Sequence, residues 1–427
     1  MSRILIASQP IAGHIYPLLP IVRELVARGH ELRWYTGRRY RQEVEDAGAA
    51  FEPFVLARDF DDRDLNASFP GRAERRGLRQ TQFDMRHIFV GQLEGQLRDL
   101  LSTLRHWPAD AVLAEQTLSA GLLVSELGGP PCALLGILPL GIASRDTAPF
   151  GLGLLPDRSA LGGWRNAGLH WAAQHLLFRD TVRELNAVCE RLGVRRRPFA
   201  APLSPHLMLQ ASVPGFEYAL RDLPPQLHFI GALPPPGRSG ALPEWWPELN
   251  AGRRVVLVTQ GTLAVDPRQL VLPTLRGLAH ENLLVVAAGV GELDDLPANA
   301  RTARFVPFAD LMPHLSAYVT NGGYGGVQFA LSHGVPVVSA GQSEDKPEVG
   351  NRVAAAGVGV RLPTSTPTPG QVRRAVRRVL DDSELRQRAS TLGHDFARYD
   401  APTRAADLLE RLAATGKPVY QGDLRNF

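Results

Sequence analysis

Residues 319–336 constrain the fold of this chain more than any other segment. They combine the end of an apolar strand, the beginning of a helix and, between them, a turn with four glycines: Gly322, Gly323, Gly325 and Gly326. Glycine allows backbone amides to approach a ligand closely, and a helix N-terminus attracts negative charge. The pattern predicts a pyrophosphate site, although a strand-to-helix corner that binds nothing can use glycine for conformational reasons.

Two other apolar runs also end in polar loops. Residues 255–259 lead into Gln260, Gly261 and Thr262, and residues 335–339 lead into an acidic stretch around Asp345. In a parallel sheet the carboxyl ends of the strands meet at the edge where ligands bind. We therefore expect both loops to lie beside the glycine-rich turn and to supply further polar groups.

The order of the apolar runs indicates a parallel α/β protein. Short strand-like runs alternate with helical patterns, such as the amphipathic stretch 17–28 that ends at Gly29. The predicted strands of the N-terminal half lie at residues 4–7, 31–35, 111–114 and 132–135.

The length of the chain predicts two domains. Its 427 residues exceed what one hydrophobic core normally serves. A proline-rich stretch predicts a semi-rigid linker at residues 226–253, between a first domain at 1–225 and a second at 254–398.

Charge and cysteine content exclude several classes of protein. The 47 basic and 43 acidic residues nearly balance, and no basic stripe typical of nucleic-acid binding is present. Cys132 and Cys189 are far apart without ligand spacing, which predicts buried free thiols in a reducing compartment. We find neither a signal peptide nor an apolar run long enough to span a bilayer, so the sequence predicts a cytoplasmic protein without an integral membrane segment.

A second motif follows the first predicted strand. In residues 9–20, Gly13 permits a tight turn and Pro17 can begin a helix, which places His14 at the carboxyl edge of the sheet. An imidazole there can act as a general base near neutral pH. A lone histidine more often caps a helix or satisfies a polar group in the core.

These motifs resemble those of the two-domain GT-B glycosyltransferases, and more narrowly the family-1 enzymes that glycosylate natural products, macrolides, flavonoids, sterols and lipids. The matching segments cover residues 305–308, 311–314, 319–330, 334–338, 344–347 and 357–360, together with the Gly-His-x-x-Pro motif at 13–17. The resemblance implies an α/β, GT-B fold in which two Rossmann-like doubly wound parallel sheets face each other across a cleft. It also implies that residues 399–427 form a helix and tail that cross back to the first domain.

The family resemblance implies an inverting sugar transfer. His14 matches the histidine that deprotonates the acceptor hydroxyl, and Glu115 matches the acidic residue that orients this histidine. Relatives usually have aspartate at that position, and a glutamate that caps the following helix is the alternative. The acceptor oxygen would attack the anomeric carbon opposite the leaving nucleoside diphosphate, without a metal. The only co-substrate implied is a UDP- or dTDP-hexose, and no cofactor is implied.

The resemblance also assigns a donor site. The positions that match are Gly13, Thr259, Gly261, Thr262, Val306, Phe308, Asn321, Gly322, Gly323, Tyr324, Gly325, Gly326, Gln328, Glu344, Asp345 and Lys346. Val306 and Phe308 would receive the base, and Asp345, with Glu344 and Glu348 as further candidates, would contact the sugar. Lys346 replaces a glutamine, so its ammonium either donates to a sugar hydroxyl or pairs with a neighbouring carboxylate.

Three departures from the family pattern bear on the donor. Asn321 replaces a histidine and cannot carry its charge, and Gly326 replaces a hydroxyl residue, so the site depends more on backbone amides. Phe329 stands where uridine-specific relatives place a glutamate on the ribose. Either Gln328 takes over that contact or the donor is a thymidine nucleotide, and we favour uridine because such donors are frequent.

The acceptor is expected to be small and hydrophobic, in a protein that is a monomer or a homodimer. Residues 59–82 and 145–165 are candidate walls of the acceptor cleft. The apolar residues at 149–156 indicate a hydrophobic acceptor, and a collapsed packing loop is the alternative. Asp59 and Asp61 have the spacing of a metal-binding pair but follow no buried strand, so we predict a solvated, mobile loop there. The alternatives are a glycolipid synthase at the membrane surface, a non-catalytic sugar-nucleotide-binding auxiliary protein, and an epimerase of the same fold.

Overall fold

The first domain is built on a parallel sheet. We analysed a computed structural model that describes residues 1–235, 242–261, 266–291 and 293–422. The strands of the first sheet are β1 (Arg3–Ala7), β2 (Glu31–Thr36), β3 (Ala50–Pro53), β4 (Ala111–Glu115), β5 (Cys132–Gly136), β6 (Leu207–Gln210) and β7 (Leu227–Phe229). Their order across the sheet is β3-β2-β1-β4-β5-β6-β7, and each neighbouring pair is parallel.

The second domain repeats this architecture. Its strands are β8 (Arg254–Thr259), β9 (Leu283–Ala288), β10 (Ala300–Ala303), β11 (Leu315–Thr320), β12 (Val337–Ala340) and β13 (Gly359–Leu362). They are parallel throughout, in the order β10-β9-β8-β11-β12-β13. The predicted α/β fold with two parallel sheets is confirmed.

Helices cover both faces of each sheet. The helices are α1 (Ala12–Ile15), α2 (Leu18–Ala27), α3 (Arg41–Asp46), α4 (Leu65–Ser68), α5 (Leu78–Asp84), α6 (Leu93–His106), α7 (Ala120–Glu126), α8 (Ala160–Ala172), α9 (Arg179–Arg191), α10 (Val271–Leu278), α11 (Phe308–Leu311), α12 (Tyr324–Ser332), α13 (Lys346–Ala355), α14 (Pro369–Asp381), α15 (Ser383–Phe396) and α16 (Ala401–Thr415). None of the described helices is long and apolar enough to cross a bilayer.

Burial explains the sequence pattern of the strands. Alternate residues of β1 point to opposite faces, yet both faces are apolar: Ile4 and Ile6 belong to one core cluster, and Leu5 and Ala7 to another. Strands covered by helices on both sides show this continuous apolar pattern. The alternating strands and helices were therefore visible in the sequence.

The last helix belongs to the core of the first domain. On α16, Ala405, Leu408, Leu409 and Leu412 are fully buried in the cluster that contains Leu18 of α2. At the junction between the two domains, β7 pairs with β6, although it lies just beyond residue 225, the predicted end of the first domain. Residues 227–229 of the predicted linker therefore form a strand of the first sheet, and residues 236–241 lie outside the described residues.

The position of α16 predicts that its apolar face stabilises the first domain. Leu409→Ala removes a fully buried side chain and should lower the free energy of unfolding by about 2–5 kcal/mol, because a cavity forms between α16 and the sheet. Leu161→Ala, at a side chain that is 82% exposed, is the control and should change it by less than about 0.5 kcal/mol. Urea unfolding followed by circular dichroism measures both; equal effects would contradict the assignment.

Candidate active site

The predicted base lies in a single helical turn between β1 and α2. His14 is in α1, and its Nδ1 lies 3.0 Å from Oε2 of Glu115, the last residue of the neighbouring strand β4. The two side chains are 13% and 0% exposed. Gly13 is helical rather than a tight turn, and a Cβ there would meet no atom within 4 Å. The structure thus brings His14 and Glu115 together, with open space beside Gly13.

Hydrogen bonds saturate the Glu115 carboxylate. It accepts the amide of Gln9 at 3.3 Å, the amide of Thr117 at 2.9 Å and the hydroxyl of Thr117, whose Oγ1 is also 3.2 Å from Nδ1 of His14. An ionised carboxylate can only accept hydrogen bonds, so Nδ1 of His14 is the protonated nitrogen facing it. The Nε2 nitrogen is then left to accept a proton.

The two pKa values are displaced in opposite directions. Burial lowers the pKa of His14, but the charge and hydrogen bond of Glu115 outweigh burial and raise it above the ordinary 6.5. Burial raises the pKa of Glu115, but His14 and the hydrogen bonds from Thr117 lower it below its usual value. Both shifts favour a carboxylate beside an imidazole that readily takes up a proton.

The stretch 58–64 is less solvated than the sequence indicated. Asp62 is only 6% exposed, and its Oδ2 accepts the amide of Ala12 and the hydroxyl of Tyr40, each at 2.8 Å. Phe60 is also buried. The prediction of a solvated loop is therefore wrong for these two residues, because Asp62 holds the beginning of the turn that carries His14. Within the described ranges, no three acidic, His or Cys side chains are grouped to hold a metal ion.

The glycine-rich turn is shaped by two close approaches. Gly322 has a φ of 97°, and a Cβ there would lie 2.7 Å from Oγ of Ser339. Both the backbone conformation and the lack of space therefore exclude a side chain. A Cβ at Gly326 would lie 3.1 Å from the hydroxyl of Tyr318, which explains why a hydroxyl residue is replaced here. In contrast, Gly323 and Gly325 adjoin open space.

Helix α12 points its free amides out of this turn. Gly323 is the N-cap with extended backbone, and the helical hydrogen bonds begin with Val327 donating to Gly323 at 3.0 Å. The amides of Tyr324, Gly325 and Gly326 thus precede the first helical bond and are left for a ligand. A helix N-terminus of this kind binds anions.

The predicted cradle for the diphosphate combines these amides with Asn321 and the end of β8, whose side chains have internal partners. The side-chain amide of Asn321 donates to the backbone carbonyl of Gln260, and Oγ1 of Thr259 accepts the backbone amide of Gly261 at 3.4 Å. The contact of Asn321 with Gln260 joins the ends of β8 and β11, whose polar loops we expected to lie side by side. Thr262, which we also assigned to the donor site, lies outside the described residues.

Residues predicted to hold the nucleoside differ in burial. Val306 is 1% exposed within the apolar core of the second domain, and Phe308 packs partly buried against the same cluster. Phe329 also belongs to that core, where its ring meets His333 edge-on. Gln328 is 2% exposed, and its Oε1 has no hydrogen-bond partner in the described part of the chain. An unpartnered buried carbonyl oxygen is costly, and other buried side-chain atoms of the described residues, such as Oδ1 of Asn299, share this feature.

The residues predicted to contact the sugar lie at the beginning of α13. Burial raises the pKa of Asp345 to about 6, against the opposing charge of Lys346. The Lys346 ammonium pairs with the carboxylate of Glu344, which realises the second alternative for this lysine. Asp345 interacts electrostatically with His14, so the carboxyl edges of the two sheets face each other.

A buried ionic cluster joins the two domains behind the glycine-rich turn. Nε of Arg352 in α13 lies 2.6 Å from Oε2 of Glu217, and both side chains are 1% exposed. Glu217 also accepts the hydroxyl of Tyr324, to which the side-chain amide of Gln210, the last residue of β6, donates at 3.1 Å. Tyr324 therefore contributes its amide to the cradle, while its hydroxyl anchors α12 on the first domain.

Several of these side chains could not be recognised from the sequence. Thr117 stands two residues after the predicted Glu115, so a hydroxyl close to the end of β4 was a weak signal. Asp62, Glu217 and Arg352 had no signal, because their partners lie far away in sequence.

Comparison with known proteins agrees with this architecture. Residues 269–412 match the family model described as the Erythromycin biosynthesis protein CIII-like, C-terminal domain. The chain is 42% identical to 4'-demethylrebeccamycin synthase of Lentzea aerocolonigenes, over 96% of this chain and 99% of that protein. It is 33% identical to UDP-glucosyltransferase A1 of Starmerella bombicola, over 96% and 92% of the two chains.

Solved structures show the same fold. The calicheamicin glycosyltransferase CalG4 superposes with a TM-score of 0.73 at 23% identity, over 97% of this chain and 99% of that one. The Streptomyces sp. SF2575 glycosyltransferase SsfS6, complexed with thymidine diphosphate, gives 0.68 at 22% identity, over 96% and 100%. With two parallel-sheet domains, a cradle at the N-terminus of α12 and relatives that match along nearly their whole length, the chain belongs to the family-1 natural-product glycosyltransferases of the GT-B fold.

Proposed function

We propose that this glycosyltransferase is inverting and metal-independent. It moves the hexose of a UDP-hexose to a hydroxyl of a small hydrophobic acceptor, and His14 is the general base. The observation that carries the proposal is the buried contact of 3.0 Å between His14 and Glu115 at the sheet edge that faces Asp345. The relatives are transferases, which argues against the epimerase and the non-catalytic alternatives.

The reaction follows from the arrangement of these groups. Nε2 of His14 takes the proton of the acceptor hydroxyl while the acceptor oxygen attacks the anomeric carbon. The bond from that carbon to the diphosphate oxygen breaks on the opposite face, and its electron pair stays with the nucleotide. Glu115 stabilises the imidazolium that forms. The amides at the N-terminus of α12 stabilise the charge on the leaving diphosphate, so transfer should persist in EDTA.

The choice of UDP rests on the relatives and on Gln328. A relative that is 33% identical carries the name UDP-glucosyltransferase. The unpartnered Oε1 of Gln328 is our proposed acceptor for the ribose 2′-hydroxyl, which a deoxyribose lacks. The thymidine nucleotide of SsfS6 belongs to a structure that shares only 22% identity with this chain.

The acceptor side is apolar. Phe60, Phe69 and Ile88 form a buried cluster, with Ile11 and Phe83 packed partly buried against it. Ile11 immediately precedes the turn that contains His14. The partly buried side chains of Ile11 and Phe83, at the edge of this cluster, suit an acceptor with an aromatic or aliphatic body. A lipid acceptor held in a membrane is the alternative, and a strict requirement of transfer for lipid vesicles would identify it.

Replacing the base tests the proposal directly. His14→Gln keeps a hydrogen-bond donor for Glu115 but cannot take up the proton, so transfer should fall roughly 10²- to 10⁴-fold. Binding of UDP, measured by calorimetry, should stay within about twofold because the cradle is in the other domain. A variant that retains full transfer to the flavonol quercetin would remove His14 from the mechanism.

The pH dependence follows from the raised pKa of His14. The base works only when neutral, so kcat should rise with pH through a midpoint above 6.5 in the wild type. Glu115→Gln removes the charge that raises this pKa, leaving burial to lower it, so the midpoint should move to lower pH while the maximal rate also falls. Glu384→Gln, at a side chain that is 74% exposed, serves as the control. An unchanged midpoint in Glu115→Gln would contradict the pairing.

The assignment of Gln328 to the ribose predicts that one substitution stabilises the free protein and weakens UDP binding. Gln328→Leu removes the unpartnered buried oxygen, so the free protein should gain about 1 kcal/mol of stability. The lost ribose contact should weaken UDP binding roughly fivefold, corresponding to one neutral hydrogen bond, and leave dTDP binding almost unchanged. Exposed Gln387→Leu is the matched control. Calorimetric titration that finds equal losses for both nucleotides would refute the contact.

A further inference from the structure

Glu348 lies one helical turn after Asp345 but is not available to a sugar. It is 5% exposed, and its carboxylate is fully engaged. Oε1 accepts the amides of Gly151 at 3.1 Å and Gly153 at 3.0 Å, and Oε2 accepts Nη1 of Arg352 at 3.2 Å. A carboxylate of the second domain thus holds a loop that follows β5 in the first domain.

The loop is shaped for this contact. Gly151 and Gly153 have φ values of 93° and 62°, in the left-handed region, which directs both amides to the same oxygen. A Cβ at Gly153 would lie 3.2 Å from Cβ of Pro347, the second residue of α13. The backbone of the loop therefore lies directly on the first turn of the helix, and a larger residue at 153 would lift it away.

The side chains of this loop stay accessible although its backbone is held. Phe150, Leu152, Leu154 and Leu155 are 40%, 43%, 41% and 53% exposed. Fixing apolar side chains half-exposed has no benefit for folding, because the same residues would be more stable if buried. A rigid apolar surface beside a reaction centre is instead the usual lining of a ligand site.

From these contacts we propose that Glu348 is a positioning residue for acceptor recognition: it fixes residues 150–155 as an apolar wall of the acceptor site. This inference rests on the proposed transferase function. It means that α13 serves both substrates, with Asp345 at its beginning on the donor side and Glu348 in its first turn holding the acceptor wall.

Two substitutions test the wall from opposite sides. Glu348→Gln keeps the size of the side chain but removes the charge that holds two amides, and Gly153→Ala leaves Glu348 intact but introduces the close contact with Pro347. Gly163→Ala in α8 is the matched control, because a Cβ there meets nothing within 4 Å. Hydrogen–deuterium exchange of the peptide covering residues 148–156, UDP binding and transfer from UDP-glucose to quercetin are measured for each.

We expect both variants to exchange at least tenfold faster in residues 148–156 and to raise the KM for quercetin at least fivefold. The Kd for UDP and the kcat at saturating quercetin should stay within twofold, and Gly163→Ala should match the wild type. Weaker UDP binding in parallel with the KM effect overturns the proposal, because Glu348 would then act on the donor. Unchanged exchange in both variants also overturns it.

The exchange measurement needs no acceptor, so it separates this inference from the proposed function. A wild-type protein that transfers no sugar to quercetin or to any other hydroxyl acceptor would overturn the proposed function and the acceptor role together. Transfer by the wild type with an unaltered KM in both loop variants would overturn only the role of Glu348.

Discussion

The pairing of Arg352 with Glu217 is the interaction on which the arrangement of the two domains depends. Both charges are removed from water, which costs several kcal/mol per ion unless every polar group finds a partner. Here the guanidinium also donates to the carbonyl of Leu140 at 2.9 Å and lies 4.2 Å from the ring centre of Tyr218. Because Glu217 also holds Tyr324, this cluster fixes the glycine-rich turn relative to the first sheet.

This fixed relation explains how the base and the cradle can work together although they lie on separate sheets. His14 is placed by the end of β1, by Asp62 and by Glu115, all in the first domain. The cradle is placed by close contacts within the second domain, such as that of Gly322 with Ser339. The groups of each half are therefore positioned by contacts within one domain, and the buried cluster joins the two halves.

The sequence predicted the parts of the structure that depend on local pattern. Strands β1, β4 and β8 were recognisable because apolar residues fill both faces, and the cradle was recognisable because only glycine fits at positions such as Gly322. Glu115 was identified by its family position. The contacts of Glu348 and Asp62 could not be predicted, because charged residues in polar stretches look alike until the fold supplies their partners. Glu348 was therefore only a further candidate for the sugar, whereas its carboxylate is occupied by the loop at Gly151.

The burial of α16 in the first domain makes that domain discontinuous along the chain. Val419, beyond the helix, is also fully buried there, and the ring of His228 in β7 contacts its carbonyl oxygen at 3.0 Å. During synthesis on a ribosome, the sheet of the first domain emerges early but lacks the helix that covers part of one face until the second domain has been made. The exposed apolar surface must be protected in the meantime, and the second domain, whose segments are contiguous, is free to fold first.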